Sequence, residues 1–252
     1  MREISKEQLE MELLSGGSVT AGNFKVKSYT LREIVTIGYD FYYERLGYLL
    51  FDPSKNKANA DKEIAHHYDT DSIFVLSQRL GEEQLKYLIR NVVFFLDTQY
   101  HFFVRGGKVF YGDVDEDGLI KEDTVGIFLE EDFQKIKEVL MLQHNLKDVE
   151  DESPQLSEGH RRMLELKRKA EEKERKKRGS SGGDEATTLP DIISAVAAKA
   201  NNLNIINIWD LTIYQFYNVY QRTILVDHYH IQQMALVQGA KITDIRNWTD
   251  KI

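Results

Sequence analysis

The residues whose types and spacing most resemble a site are Asp113-Val-Asp115-Glu-Asp117-Gly118-Leu-Ile120. They reproduce the first eight positions of an EF-hand calcium loop: carboxylates at one, three and five, Gly at six and an apolar residue at eight. A calcium loop also needs a bidentate Glu at position twelve. Thr124 stands there, with Glu122 and Asp123 at ten and eleven. The residues before Asp113 read as a strand rather than an entering helix, so both the last ligand and the context fail. The expectation is an acidic hairpin turn with no resident metal; weak calcium binding is the alternative.

Histidines supply two further candidates. His66-His67 lies near Asp69 and Asp71, which could form a metal or acid/base cluster. Neighbouring histidines on a helix or strand point in different directions, so they do not chelate as i, i+4 pairs do. The same holds for His228-Tyr-His230. The chain has no cysteine, which removes thiolate nucleophiles, cysteine zinc sites and disulfides together. There is no Gly-rich phosphate loop, no Gly-x-Ser-x-Gly elbow and no His-Glu-x-x-His. Carboxylates are abundant, but catalysis needs a cleft around them and spacing shows none. No catalytic residue, cofactor or metal is expected, and the protein is read as not an enzyme.

The strongest pattern is apolar. Within Asn207 to Arg222, the residues Trp209, Ile213, Phe216 and Tyr220 fall at i, i+4, i+7 and i+11, the spacing of one helix face. Asn207 suits an N-cap, and Asp210 puts a carboxylate in the first turn, where the positive end of the helix dipole favours it. Burying such side chains contributes roughly 2 kcal/mol each. That energy can hold a core or hold a partner, and aromatic stripes are commonly core. As a hypothesis, the partner contact is assigned to Trp209, Ile213, Phe216 and Tyr220.

Helices and one small sheet must position these residues. Ser5-Lys-Glu-Gln8 has capping-box spacing and opens a helix to Leu14, ended by Gly16-Gly17. An extended piece covers 23–28. Thr30-Leu-Arg-Glu33 is a second capping box, opening a long helix in which Ile34, Ile37, Phe41 and Tyr48 continue one face to about Phe51, before Asp52-Pro53. Residues 55–69 read as a loop, and 71–79 and 82–96 as two helices separated near Gly81. Tyr100 to Val104 and Lys108 to Tyr111 form a hairpin around Arg105-Gly-Gly107, with a third strand near Leu119-Ile120 or Val125 to Leu129. Glu130-Glu-Asp132 fronts a helix from Phe133 to about His144.

From Asp148 the composition changes. An acidic break to Pro154 leads into a charged helix over 155–178 and the Gly-Ser linker 179–185. Arg161 to Arg178 holds ten Lys or Arg and four Glu, a local charge of +6 against −8 for the whole chain, so the remainder carries −14. An acidic body with one basic segment lacks the broad positive footprint of a dedicated nucleic-acid binder. A helix from Leu189 to Lys199, with Pro190 in its first turn, precedes the aromatic helix. Helix then continues from Thr223 to Gln238, with Ile231, Met234 and Val237 or Gln238 on one side and Gly239 as terminator. Trp248 could pack back.

The fold class expected is α+β and mostly helical: N-terminal helices with a small antiparallel sheet (1–150), a charged linker helix and flexible linker (151–188), and a C-terminal helical module (189–252). With 252 residues and 42% hydrophobic composition, such a chain can bury a real core. The charged first residues do not read as a signal peptide, and no apolar run approaches about 18 residues. A cytoplasmic protein with no membrane partner is expected.

The run Ile208-Trp-Asp-Leu-Thr-Ile-Tyr-Gln-Phe-Tyr217 resembles a segment near the C-terminus of tail assembly chaperones of tailed bacteriophages. In those sequences it follows a charged connector and a short helix like Asp191-Ile-Ile-Ser194, and the order of parts is similar over most of the chain. The opening Tyr29 to Ile34 helix, the acidic helix near Glu131-Asp-Phe133 and the basic connector all have counterparts. The resemblance implies a chaperone that keeps a long helical tape measure protein soluble, helps recruit tail tube subunits and leaves before the virion is complete. It implies action in the host cytoplasm, with the tape measure or another tail protein as partner and an oligomer as one possible state. Two other readings stand beside it: a permanent tail or baseplate component of the virion, and a nucleic-acid-binding regulator using the basic segment.

Overall fold

A computed structural model describes residues 5–54, 67–69, 71–115, 120–146, 188–200 and 202–239, together with 247 and 249. The fold is mostly helical α+β with two small antiparallel sheets. By internal contacts the chain divides into one unit made of Met1–Leu146 with Ile206–Ile252, and a second of Lys147–Ile205. This differs from the expected three-part division, because the stretch 189–252 is split and its larger part belongs with the N-terminal body.

In the first unit, the Ser5 hydroxyl accepts the Gln8 amide at 3.2 Å and starts helix α1, Lys6–Ser15. Gly16, at φ 79, ends it. Strands β1 (Val19–Ala21) and β2 (Phe24–Val26) form a hairpin around Gly22, where only the extended piece over 23–28 was expected. The reciprocal Thr30–Glu33 capping box opens α2, Leu31–Ile37. The long helix expected to run on to Phe51 is broken at Gly38, whose φ of 106 and ψ of 118 lie outside helical space, and α3 restarts at Tyr39–Leu49. After the break the buried face is Tyr42, Leu46 and Leu49, and Phe41 is exposed.

Helices α4 (Ile73–Leu80) and α5 (Glu82–Phe95) meet at Gly81. Strands β3 (His101–Arg105), β4 (Lys108–Gly112) and β5 (Gly126–Phe128) form a sheet in that order, turning at Gly106-Gly107, both with positive φ. In α6 (Glu130–Gln143) the Asp132 carboxylate accepts the Leu129 amide at 3.0 Å and caps the first turn.

Two aromatic clusters fill the core. Phe24 packs against Phe102, Tyr111 and Phe128 at 5.0–5.8 Å between ring centres, and Tyr29 and Tyr42 pack against Phe94 and Phe95 at 5.4–6.1 Å. His144 is buried at the edge of the second cluster. Its Nδ1 donates to the Leu140 carbonyl at 2.7 Å and its Nε2 accepts from the Tyr42 hydroxyl at 3.0 Å, which assigns a neutral ring. Burial pushes its pKa down to about 4.

In the second unit, α7 is Leu189–Lys199, with Pro190 in the first turn. The Asp191 carboxylate accepts both the amide and the hydroxyl of Thr188, at 2.9 and 2.6 Å. The charged helix expected over 155–178 and the linker 179–185 lie outside the described residues, as does Trp248.

Candidate partner-binding surface

Residues 207–213 decide where the aromatic stripe goes. Asn207 does not open a long helix: Ile208–Asp210 is one turn of 3-10 helix, and the α-helix α8 begins at Ile213 and runs to Val237. The stronger start signal is Thr212-Ile-Tyr-Gln215, a capping box in which the Thr212 hydroxyl accepts the Gln215 backbone amide at 3.3 Å and the Gln215 side-chain Oε1 accepts the Thr212 amide at 2.9 Å. Asp210 pairs instead with Arg32, at 2.9 Å between Oδ1 and Nη2.

The start of α8 is pinned to the body by backbone pairing. Leu31 donates to the Leu211 carbonyl at 2.9 Å and Ile213 donates to the Tyr29 carbonyl at 3.0 Å, around an antiparallel bridge between Thr30 and Thr212. Gln215 adds a tie from its side-chain amide to the Leu14 carbonyl at 2.9 Å, joining α8 to the end of α1. This close approach uses Gly16, where a Cβ would lie 2.8 Å from the Gln215 Nε2.

The four residues assigned to a partner therefore do not form one exposed stripe. Ile213 is 1% exposed and Phe216 0%, so both are core of the first unit and neither is available to another protein. Trp209 is half-buried on the 3-10 turn, where it lines an open depression of about 300 Å³ with Arg32, Val35 and Thr36. Tyr220, on α8, is half-buried. Spacing could not separate these outcomes, because the same periodicity serves a buried and an open face.

The open face lies further along the same helix. Helix α8 has 25 residues, about 37 Å at 1.5 Å each, and its buried residues, Ile213, Phe216 and Leu225, all fall in its first half. Ile224, next to the buried Leu225, is 38% exposed, and further along Ile231 is 65%, Met234 63% and Val237 89% exposed. Ile224, Ile231 and Met234 continue the phase of Ile213 and Phe216: the stripe that sinks into the core emerges uncovered. Between Ile224 and Gly239 the only acidic or basic side chain, histidine aside, is Asp227. The i+7 and i+10 spacing of Ile231 and Met234 from Ile224 was visible in the sequence; their exposure was not.

The other candidates are described in part. Thr124, at position twelve of the calcium-like loop, accepts the Asp113 amide at 2.9 Å and donates to the Lys121 carbonyl at 2.9 Å, closing the loop base with its hydroxyl. Residues 116–119 of that loop lie outside the described residues. His67 Nδ1 lies 3.3 Å and Arg79 Nε 2.6 Å from the same oxygen of Asp71, an ion-pair cluster at the start of α4; His66 lies outside the described residues. His228 and His230 are both exposed on α8. Among the described residues no group of three His, Asp or Glu is placed to hold a metal ion, and no helix is long and apolar enough to cross a membrane.

A family model described as "YomV second domain" matches residues 176–252, less than half of the chain. The matched stretch contains both α7 and α8. No curated protein and no solved structure matches the chain.

Proposed function

We propose that this chain is a non-enzymatic protein-binding protein of the tail assembly chaperone kind, which holds an apolar helix of a tail protein against the open face of α8. The observation that carries the reading is the emergence of a core stripe into solvent at Ile224, Ile231 and Met234 on a nearly uncharged helix surface. An uncovered apolar face of this kind marks an interaction site more readily than scattered surface apolar residues do, and helix-in-groove recognition reads apolar anchors that, like these at i, i+7 and i+10, share one helix face. The likeness of Ile208 to Tyr217 and of the order of parts to tail assembly chaperones supports the choice of partner: a tape measure protein, long, helical and prone to aggregate. Binding would take place in the host cytoplasm, before the particle is complete.

The test is co-expression with a long helical tail protein encoded nearby, comparing the native chain with Ile231→Asp and Met234→Asp. The expected result is a soluble complex with the native chain and aggregation of the partner with either variant, although both variants stay folded by circular dichroism. Equal complex formation by all three would refute the assignment. Mass spectrometry of purified virions separates a chaperone, absent from the particle, from a permanent tail or baseplate component.

A further inference from the structure

We propose that the open edge of β5 takes up a second kind of partner: an extended segment with apolar residues at alternate positions and Lys or Arg at both flanks, which joins the sheet as a further strand. This surface is separate from the open face of α8, and the inference does not depend on the client of that face.

Strand register fixes which side chains the edge presents. Phe110 pairs with Phe103 on one side and Ile127 on the other, so the three form a row across one face of the sheet, where the Phe103 and Phe110 rings stack at 5.3 Å between centres. The alternate residues Phe102, Tyr111 and Phe128 face inward, against Phe24. The Tyr111 ring lies over Gly126, where any Cβ would collide with it. Because the backbone is extended from Val125 to Leu129, the side chains of Val125, Ile127 and Leu129 all fall on the outer face. They are 41%, 50% and 54% exposed. β5 is the last strand of its sheet, and among the described residues its outer edge makes no backbone hydrogen bond. An apolar edge strand with unpaired amides and carbonyls is a template for another strand. Incoming apolar side chains would continue the row that ends at Ile127.

Charge decides the kind of strand. Residues 121–132 contain five carboxylates and, in Lys121, one cation, a local charge of −4. Glu130 is tied to the Ser72 hydroxyl and Asp132 to the Leu129 amide. Glu122 and Asp123 at one end of β5, and Glu131 at the other, are exposed and have no ion-pair partner among the described residues. The cations of the sheet itself, Lys108 and Arg105, sit one and two strands in from the edge. These carboxylates oppose a second copy of the chain. Antiparallel self-pairing about Ile127 would set Asp123 of one copy opposite Glu131 of the other, and parallel self-pairing would set each carboxylate beside its like. Flanking charge of this kind keeps an edge strand from pairing with its own kind, and it favours a partner of opposite sign.

The probe is a short labelled peptide in which Thr and Val alternate between paired lysines, and its binding to the full-length chain is followed by fluorescence anisotropy. Two control peptides replace the lysines with glutamates or carry N-methyl groups on the central backbone amides. The chain variants are Ile127→Lys and the milder Ile127→Thr, each checked for fold by circular dichroism and urea midpoint. The native chain is expected to bind the lysine-flanked peptide. Affinity should fall by about tenfold or more with glutamate flanks, with N-methylation and with Ile127→Lys, and by about threefold with Ile127→Thr, which keeps the backbone edge. Glu122→Gln, Asp123→Asn and Glu131→Gln together should weaken binding about fivefold at low salt and flatten its salt dependence.

No binding by the native chain at millimolar peptide would overturn the inference. Equal binding of the lysine- and glutamate-flanked peptides would overturn the choice of partner, and undiminished binding of the N-methylated peptide would overturn strand addition. A dimer of the native chain that dissociates on Ile127→Lys would overturn it in favour of a second copy. Ile231→Asp and Met234→Asp should bind the peptide as the native chain does; its loss in either variant would move the site to α8. A native chain that binds the peptide but no client refutes the chaperone reading alone, and one that binds the client but not the peptide refutes the edge alone.

Discussion

Phe216→Ala separates a core aromatic from a partner contact, and the structure predicts its size. Phe216 is 0% exposed in the first two turns of α8, beside Ile213 at 1%. Truncating a fully buried Phe to Ala removes its transfer free energy and leaves a cavity, together about 3–5 kcal/mol. Domains of ordinary stability have about 5–15 kcal/mol in all, so the variant should unfold at a markedly lower denaturant concentration. Met234→Ala on the same helix, with its side chain 63% exposed, should change stability by no more than about 0.5 kcal/mol. The assay is urea unfolding followed by tryptophan emission and by far-ultraviolet circular dichroism, with partner capture measured on the folded fraction. Phe216→Ala should cost stability and leave capture per folded molecule unchanged, and Met234→Ala should do the reverse. A Phe216→Ala loss below about 1 kcal/mol combined with weakened capture would refute the placement of this side chain in the core.

Other perturbations have equally definite outcomes. His144 is held neutral with a pKa lowered to about 4 by burial, so between pH 6.5 and about 4 only the unfolded chain takes up its proton. Stability should be level above pH 6.5 and fall through that window by about 3 kcal/mol, at ~1.4 kcal/mol per pH unit. Denaturant midpoints measured from pH 8 to pH 4 check this. Glu12, held low by the Thr20 amide hydrogen bond, adds its own loss below the ordinary carboxylate range. Gly16→Ala should cost about 1–2 kcal/mol, since φ is 79 there and the new Cβ would displace the Gln215 amide that ties α8 to α1; thermal unfolding gives the value. Calorimetric titration with calcium to millimolar concentrations should show no binding heat, because Thr124 is committed to closing the loop base. If Arg161 to Arg178 binds nucleic acid, affinity must fall steeply with salt as counterions are released and vanish when that segment is deleted; binding insensitive to both changes would exclude the regulator reading.

Local start and stop signals were legible in the sequence because they act over a few residues. The Ser5 and Thr30 caps, Pro190 in the first turn of α7, the turn at Gly106-Gly107 and the ends at Gly16, Gly81 and Gly239 each rest on one residue type in a local backbone role. The helix break at Gly38 was less legible, since a lone glycine inside a helical pattern is tolerated about as often as it interrupts. The competition between Asn207 and Thr212 as the start of the last helix was legible in principle: Thr212 and Gln215 form a capping box, and Asn207 with Asp210 offers a weaker version of the same signal.

The amino-acid order by itself indicated helix from Asn207 through Gln238, with Ile213 and Phe216 on one face and Ile231 and Met234 on one side further along, because periodicity is a property of the chain. Only the tertiary structure decided which part of that side is core. The hydrogen bonds between 29–31 and 211–213 anchor one end of the helix, and burial along this side falls from Ile213 and Phe216 to the exposed Ile231 and Met234. Burial is a relation between distant segments, and no spacing within one segment records where its neighbour stops.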